Sequence, residues 1–158
     1  MFITRHRLLA LAAVTSALSL ILVPAAAAQR VNLAISPSTI TFASADPDAT
    51  PSIVAPPITV TYEVDKNGGG SWDISLLASG DLTAGSATIS ISNVTWTASP
   101  TPRFQAGTLS STVAQTLASG TANVNKPLDG TVIFRLANSW TYNVGSYSTS
   151  VVFTLTAP

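Results

Sequence analysis

Cysteine is absent from the 158 residues, and histidine occurs once, as His6. Without cysteine there is no disulfide framework, no thiolate nucleophile and no cysteine-ligated zinc. His6 falls in a segment read below as a removed leader. A Ser-His-Asp triad and a histidine metal site are therefore excluded from the remainder. Charge is scarce, at 9% of residues. From Gln29 onward the bases are Arg30, Lys66, Arg103, Lys126 and Arg135, and the acids are Asp46, Asp48, Glu63, Asp65, Asp73, Asp81 and Asp129, a net charge of −2. Five scattered bases leave no electrostatic footprint for DNA or RNA. What is abundant is hydroxyl: 18 Ser and 19 Thr stand in the same 130 residues. Low charge combined with abundant Val, Ile and Leu argues against global disorder.

Residues 1–28 have the three parts of a secretory signal peptide. Arg5, His6 and Arg7 make a positive start, Leu8–Val23 is uncharged and apolar, and Pro24 breaks the helix ahead of the small residues Ala26-Ala27-Ala28. The alternative is a membrane anchor. Sixteen helical residues, Leu8–Val23, span about 24 Å, short of the roughly 30 Å hydrocarbon core. Cleavage between Ala28 and Gln29 is expected, leaving a chain 29–158 with no transmembrane segment, exported to the cell exterior or surface.

Beyond the leader, period-2 alternation recurs almost throughout. Val31, Leu33 and Ile35 alternate with polar or small neighbours, and Ile40 and Phe42 follow Pro37. The same pattern holds at Ile58, Val60, Tyr62 and Val64, at Ile89 and Ile91, at Val94 and Trp96, at Val132, Phe134 and Leu136, and from Tyr147 to Leu155. Trp72–Ser79 and Thr112–Leu117 are less regular but strand-like. The β-branched and aromatic residues suit a half-buried pleated surface, with Thr and Ser on its wet face. Pro47, Pro51, Pro56 and Pro57 make 46–57 a loop or edge crossing, since proline cannot donate to a ladder. Asn67-Gly68-Gly69-Gly70 reads as a hairpin turn, and 99–102 and 123–130 as longer connections. About eight strands in one domain with one apolar side call for two sheets packed face to face. The expected fold is all-β: an immunoglobulin-like, two-sheet antiparallel β-sandwich over 29–158, with a closed barrel as the alternative.

The closing stretch Gly145-Ser146-Tyr147 through Phe153-Thr154-Leu155-Thr156-Ala157-Pro158 resembles the last strand of WxL-type bacterial surface domains, with Phe153 where the family prefers Trp. The stretch Val64–Ile74, with its glycine run followed by Trp72-Asp73-Ile74, resembles the family's other Trp motif, with Ile74 where Leu is preferred. The resemblance implies an extracellular, non-catalytic domain associated with the bacterial envelope. It marks Trp72, Phe153 and Leu155 as binding candidates.

Other candidates carry two readings each. Trp140 and Tyr142, with Tyr147, could stack on sugar rings; alternatively Tyr142 or Tyr147 is a corner tyrosine and Trp140 caps the core. Asp65, Asn67, Ser71 and Asp73 place oxygens around Gly70 like a degenerate calcium loop, but Leu76 stands where the bidentate Glu belongs, and a plain turn explains the rest. Asp46-Pro47-Asp48 reads as a solvated turn. Two-carboxylate sugar hydrolysis and Ser-Lys catalysis find no marked pair. A Lys–Asn cross-link through Lys66 or Lys126 is formally open. The expectation is a secreted, non-enzymatic protein of the cell surface, without cofactor or metal. Its expected partner is an envelope component or glycan, with non-covalent binding to the cell wall or a second copy of itself both open, and not nucleic acid. The alternative is a self-assembling pilus, coat or surface-layer subunit, in which the strand of Val31, Leu33 and Ile35 inserts into a neighbour's sheet.

Overall fold

The computed structural model describes residues 29–66 and 70–157. The leader, Ala28 of the expected cleavage site and the turn residues 67–69 lie outside the described residues. Among the described residues eleven strands follow one another: β1 (Arg30–Ser36), β2 (Ser52–Val54), β3 (Ile58–Asp65), β4 (Trp72–Ala78), β5 (Leu82–Ala84), β6 (Ala87–Ile89), β7 (Val94–Ser99), β8 (Gly107–Thr108), β9 (Gln115–Gly120), β10 (Val124–Ala137) and β11 (Val151–Thr156). No α-helix occurs among the described residues. The larger sheet has the order β1-β3-β10-β7-β8, with β2 also on β10, the sheet facing it has the order β11-β4-β9, and β5 and β6 pair as a separate two-stranded ribbon. Every pairing is antiparallel.

The period-2 pattern becomes the core directly. In β3 the buried residues are Ile58, Val60, Tyr62 and Val64, and in β4 they are Trp72, Ile74, Leu76 and Ala78. Val132, Phe134 and Leu136 of β10, Val94 and Trp96 of β7, and Leu117 of β9 complete one continuous cluster between the sheets. The chain is thus a two-sheet antiparallel β-sandwich, as the alternation predicts. It is not a closed barrel. On one side Gln105 N–H donates to Leu117 O (2.8 Å), tying the β7–β8 connection to β9. On the other side the edge strands β1 and β11 lie near each other without pairing. The strand of Val31, Leu33 and Ile35 pairs in register with β3 of its own chain, from Arg30 opposite Asp65 to Ser36 opposite Thr59.

Four local expectations are corrected. Ile91 does not continue the strand of Ile89. It enters a single 3-10 turn, Ile91–Asn93, because the Asp81 carboxylate accepts the Ile91 N–H at 2.8 Å. The stretch 123–130 is mostly strand rather than connection, since β10 begins at Val124. Its register against β3 slips between Val124 and Leu128, and Pro127 sits in that interruption, where no ladder donor is required. Tyr147–Ser150 precede β11 instead of belonging to it, with Ser148 bridged to Thr83 of β5. Ile40 and Phe42 pack half-buried against the core without forming a strand.

Candidate functional site

Two loops hold the most exposed aromatic ring among the described residues. The first, 46–51, closes on itself: Thr50 N–H donates to Asp46 O (2.7 Å) and Asp48 N–H donates to Asp46 Oδ1 (2.9 Å). An aspartate side chain accepting from the backbone two residues on is an Asx turn, stiffened here by Pro47. The second loop follows β10. Asn138 is its fastener: the Nδ2 amide donates to Ala45 O and Thr50 O, both at 3.0 Å, and the Asn138 N–H donates to Pro51 O at 2.9 Å. Ser139 then organises a tight turn, its Oγ accepting Thr141 N–H (3.2 Å) and its carbonyl accepting Tyr142 N–H (3.2 Å).

The two loops meet at Asp48 and Trp140. The Trp140 indole N–H donates to Asp48 Oδ1 at 3.1 Å while the residue stays 68% exposed. One edge of the ring is fixed to a carboxylate and much of the rest faces solvent. The rim is uncharged apart from the acids of the Asx turn: Ser139, Thr141 and Asn143 surround it in sequence. A ring held in this way can lie against the C–H face of a sugar, where the negative π-face meets weakly positive hydrogens.

The other binding candidates fall elsewhere. Tyr142 is half-buried against the core. Tyr147 is also half-buried, and its hydroxyl donates to Asn143 O at 2.9 Å, four residues upstream. It therefore acts as the corner tyrosine, and Trp140 does not cap the core. Trp72, the first of the binding candidates, packs in the core. It is 3% exposed, its indole N–H donates to Ala122 O (2.8 Å), and its ring lies 5.0 Å from that of Tyr62 across the two sheets. Only an edge of it reaches the surface, at the end of the hollow described next. Phe153 and Leu155 are half-buried in β11, packed against the same core.

Two hollows were not foreseen in the sequence. One, of about 540 Å³, runs from Trp72 past Ser119–Lys126 to Leu128 and carries Arg103 and Lys126 with no lining acid. The Tyr62 hydroxyl, near enough to Arg103 to feel its charge, is buried without a hydrogen-bond partner among the described residues. Burial pushes the Tyr62 phenol above its ordinary value, and the nearby Arg103 pulls it the other way without reaching hydrogen-bond geometry. The second hollow, of about 380 Å³, is lined by Ser79, Gly80, Asp81, Thr83 and Ser148–Ser150, with Asp81 its one acid. Among the described residues no group of three or more His, Cys, Asp or Glu is placed to hold a metal ion. Asn67 of the calcium-like turn lies outside the described residues, while Asp65 accepts from Asn123 Nδ2 at 3.1 Å. Lys66 directs its ammonium to the carbonyls of Gly70 and Thr121, while the Asn123 side chain binds the Lys66 backbone.

Sequence reasoning singled out Trp140 but missed its partner. Asp48 stands 92 positions away, and the available signal was the Asp46-Pro47-Asp48 turn, read only as solvated. No protein-family model matches the chain, and a search of the curated proteins finds no match.

Proposed function

We propose that the protein is an exported, non-catalytic component of a bacterial cell surface that binds an envelope glycan, such as cell-wall polysaccharide, through the Trp140 loop. The observation that carries the reading is the Asp48–Trp140 pair, a solvent-facing indole restrained by a carboxylate from a second loop. Restraint matters because a ring already held in place loses less entropy when a ligand settles on it. The signal-peptide pattern of 1–28 supports export, and no helix of the described residues is long and apolar enough to cross a membrane. The likeness of the closing strand to WxL-type domains points to the same location, without requiring Phe153 or Leu155 to touch the ligand.

Co-sedimentation with purified wall sacculi tests it, with a sandwich domain of unrelated origin as control. Retention above the control, abolished by Trp140→Ala but kept by Trp140→Tyr, is the expected outcome. Retention equal to the control, or unaffected by Trp140→Ala, overturns the reading.

A further inference from the structure

We infer that the outer edge of β11 pairs with the same edge of a second copy of this chain, joining two three-stranded sheets into one across a two-fold axis. This surface is separate from the Asp48–Trp140 loop, and the inference does not rest on glycan binding.

The backbone supplies the first observation. β11 is hydrogen-bonded on one side only, to β4, in an unbroken register from Val151 opposite Ala78 to Thr156 opposite Asp73. That register continues to Ser150 opposite Ser79, where Ser79 N–H donates to Ser150 O at 2.8 Å. Antiparallel pairs alternate between hydrogen-bonded and non-hydrogen-bonded. Ser150, Val152, Thr154 and Thr156 therefore direct their N–H and C=O groups to β4. Val151, Phe153 and Leu155 direct theirs outward, to no partner among the described residues.

The second observation is the lack of edge protection. Exposed edges are ordinarily blunted by charge, proline, bulges or covering loops. The free edge of β9 is tied down by the Gln105–Leu117 bond and the Phe104–Ala118 bridge. β1 starts with Arg30, ion-paired to Glu63 at 3.4 Å, and is followed by Pro37. Among the described strands of six or more residues, that leaves β11 as the edge with no charge, proline or bulge along it, with β1 of the other sheet near it but not paired to it. No charged residue occurs anywhere in 136–157.

Those two features select the occupant. An uncharged edge offers nothing to steer a charged partner, whereas a copy meets it without like-charge repulsion. Antiparallel pairing centred on Phe153 sets Val151 of one copy opposite Leu155 of the other as hydrogen-bonded pairs. Val152 then faces Thr154 on the outer surface, a favourable β-branched cross-strand pair. Pairing also covers the half-buried Val151, Phe153 and Leu155. One strand edge buries less than the roughly 1,200 Å² of a standard stable interface, so the association is weak and set by concentration.

Sedimentation equilibrium over a concentration series, with amide hydrogen exchange on the same samples, tests this. The average mass is expected to rise toward that of a dimer. The Val151, Phe153 and Leu155 amides should gain protection in step, while those of Val152 and Thr154 are protected throughout. Val152→Lys with Thr154→Lys puts like charges opposite one another on exposed positions. It should weaken association about tenfold or more, with recovery at about 1 M salt, where screening acts within a few ångströms. A monomer at every concentration overturns the inference, as does a dimer whose new protection falls outside β11. Should the double variant not fold, the exchange pattern of the parent protein decides alone.

Discussion

Trp72 lies against Gly120, the residue directly opposite it in β9, so closely that a Cβ added to that glycine would stand 2.7 Å from Trp72 Cζ2. The same relationship recurs at Trp96, which covers its cross-strand partner Gly107, and at Phe104, which covers Gly130. In each case a large ring occupies the space that a missing side chain leaves, which is how a strand interior tolerates glycine.

Gly120→Ala is accordingly expected to destabilise the fold by about 1–3 kcal/mol through overpacking against Trp72. Gly80→Ala, with nothing within 4 Å of the added methyl, should be neutral or stabilising by up to about 1 kcal/mol. Urea midpoints of the two variants should move in opposite directions or only the first should move. Equal losses would remove the packing explanation.

Alkaline pH is expected to unfold the protein partly through Tyr62. Its folded phenol titrates above the ordinary 10.0 because burial disfavours the anion, with Arg103 opposing. The folded state therefore holds the proton more tightly than the unfolded state. This contribution is fully present below about pH 10 and is lost as pH rises through the higher folded value. Tyr62→Phe should flatten the stability profile above pH 10. At pH 7 it should be neutral or mildly stabilising, because the hydroxyl it deletes is buried without a partner. Chemical denaturation across pH measures both.

Lys66 is 4% exposed, and its ammonium donates to the carbonyls of Gly70 and Thr121. Lys66→Met keeps the stem but strands both acceptors. A loss of about 1–3 kcal/mol is expected, read as a lower urea midpoint. An unchanged midpoint would mean that water replaces the ammonium at no cost.

Fluorescence isolates the candidate site, because Trp72 and Trp96 are 3% and 1% exposed against 68% for Trp140. Acrylamide should quench one tryptophan component readily, and Trp140→Phe should abolish that component while stability stays within about 0.5 kcal/mol. Asp48→Ala should leave stability equally unmoved but weaken sacculus retention several-fold, by freeing the indole. A quenchable signal that survives Trp140→Phe would place the accessible ring elsewhere.

Alternation alone determined that this chain is all-β with one face of each strand buried, which two apposed sheets or a closed barrel would satisfy, and the strand pairing decided for the two sheets. Composition determined which chemistry lacks its residues from Gln29 onward. The sequence could not sort its aromatics. Trp72 and Trp140 are both flanked by short polar or acidic residues, yet one is core and one is surface. The difference comes from residues far along the chain: Gly120 and Ala122 make a slot for Trp72, while Asn138 and Asp48 hold Trp140 in the open. Edge status is likewise invisible locally. The alternating strands β10 and β11 read alike, but β10 is paired on both sides and β11 on one. A strand's pattern records which face is buried, whereas its neighbours are fixed by the competition of all strands for hydrogen-bonding partners, which only the assembled sheets decide.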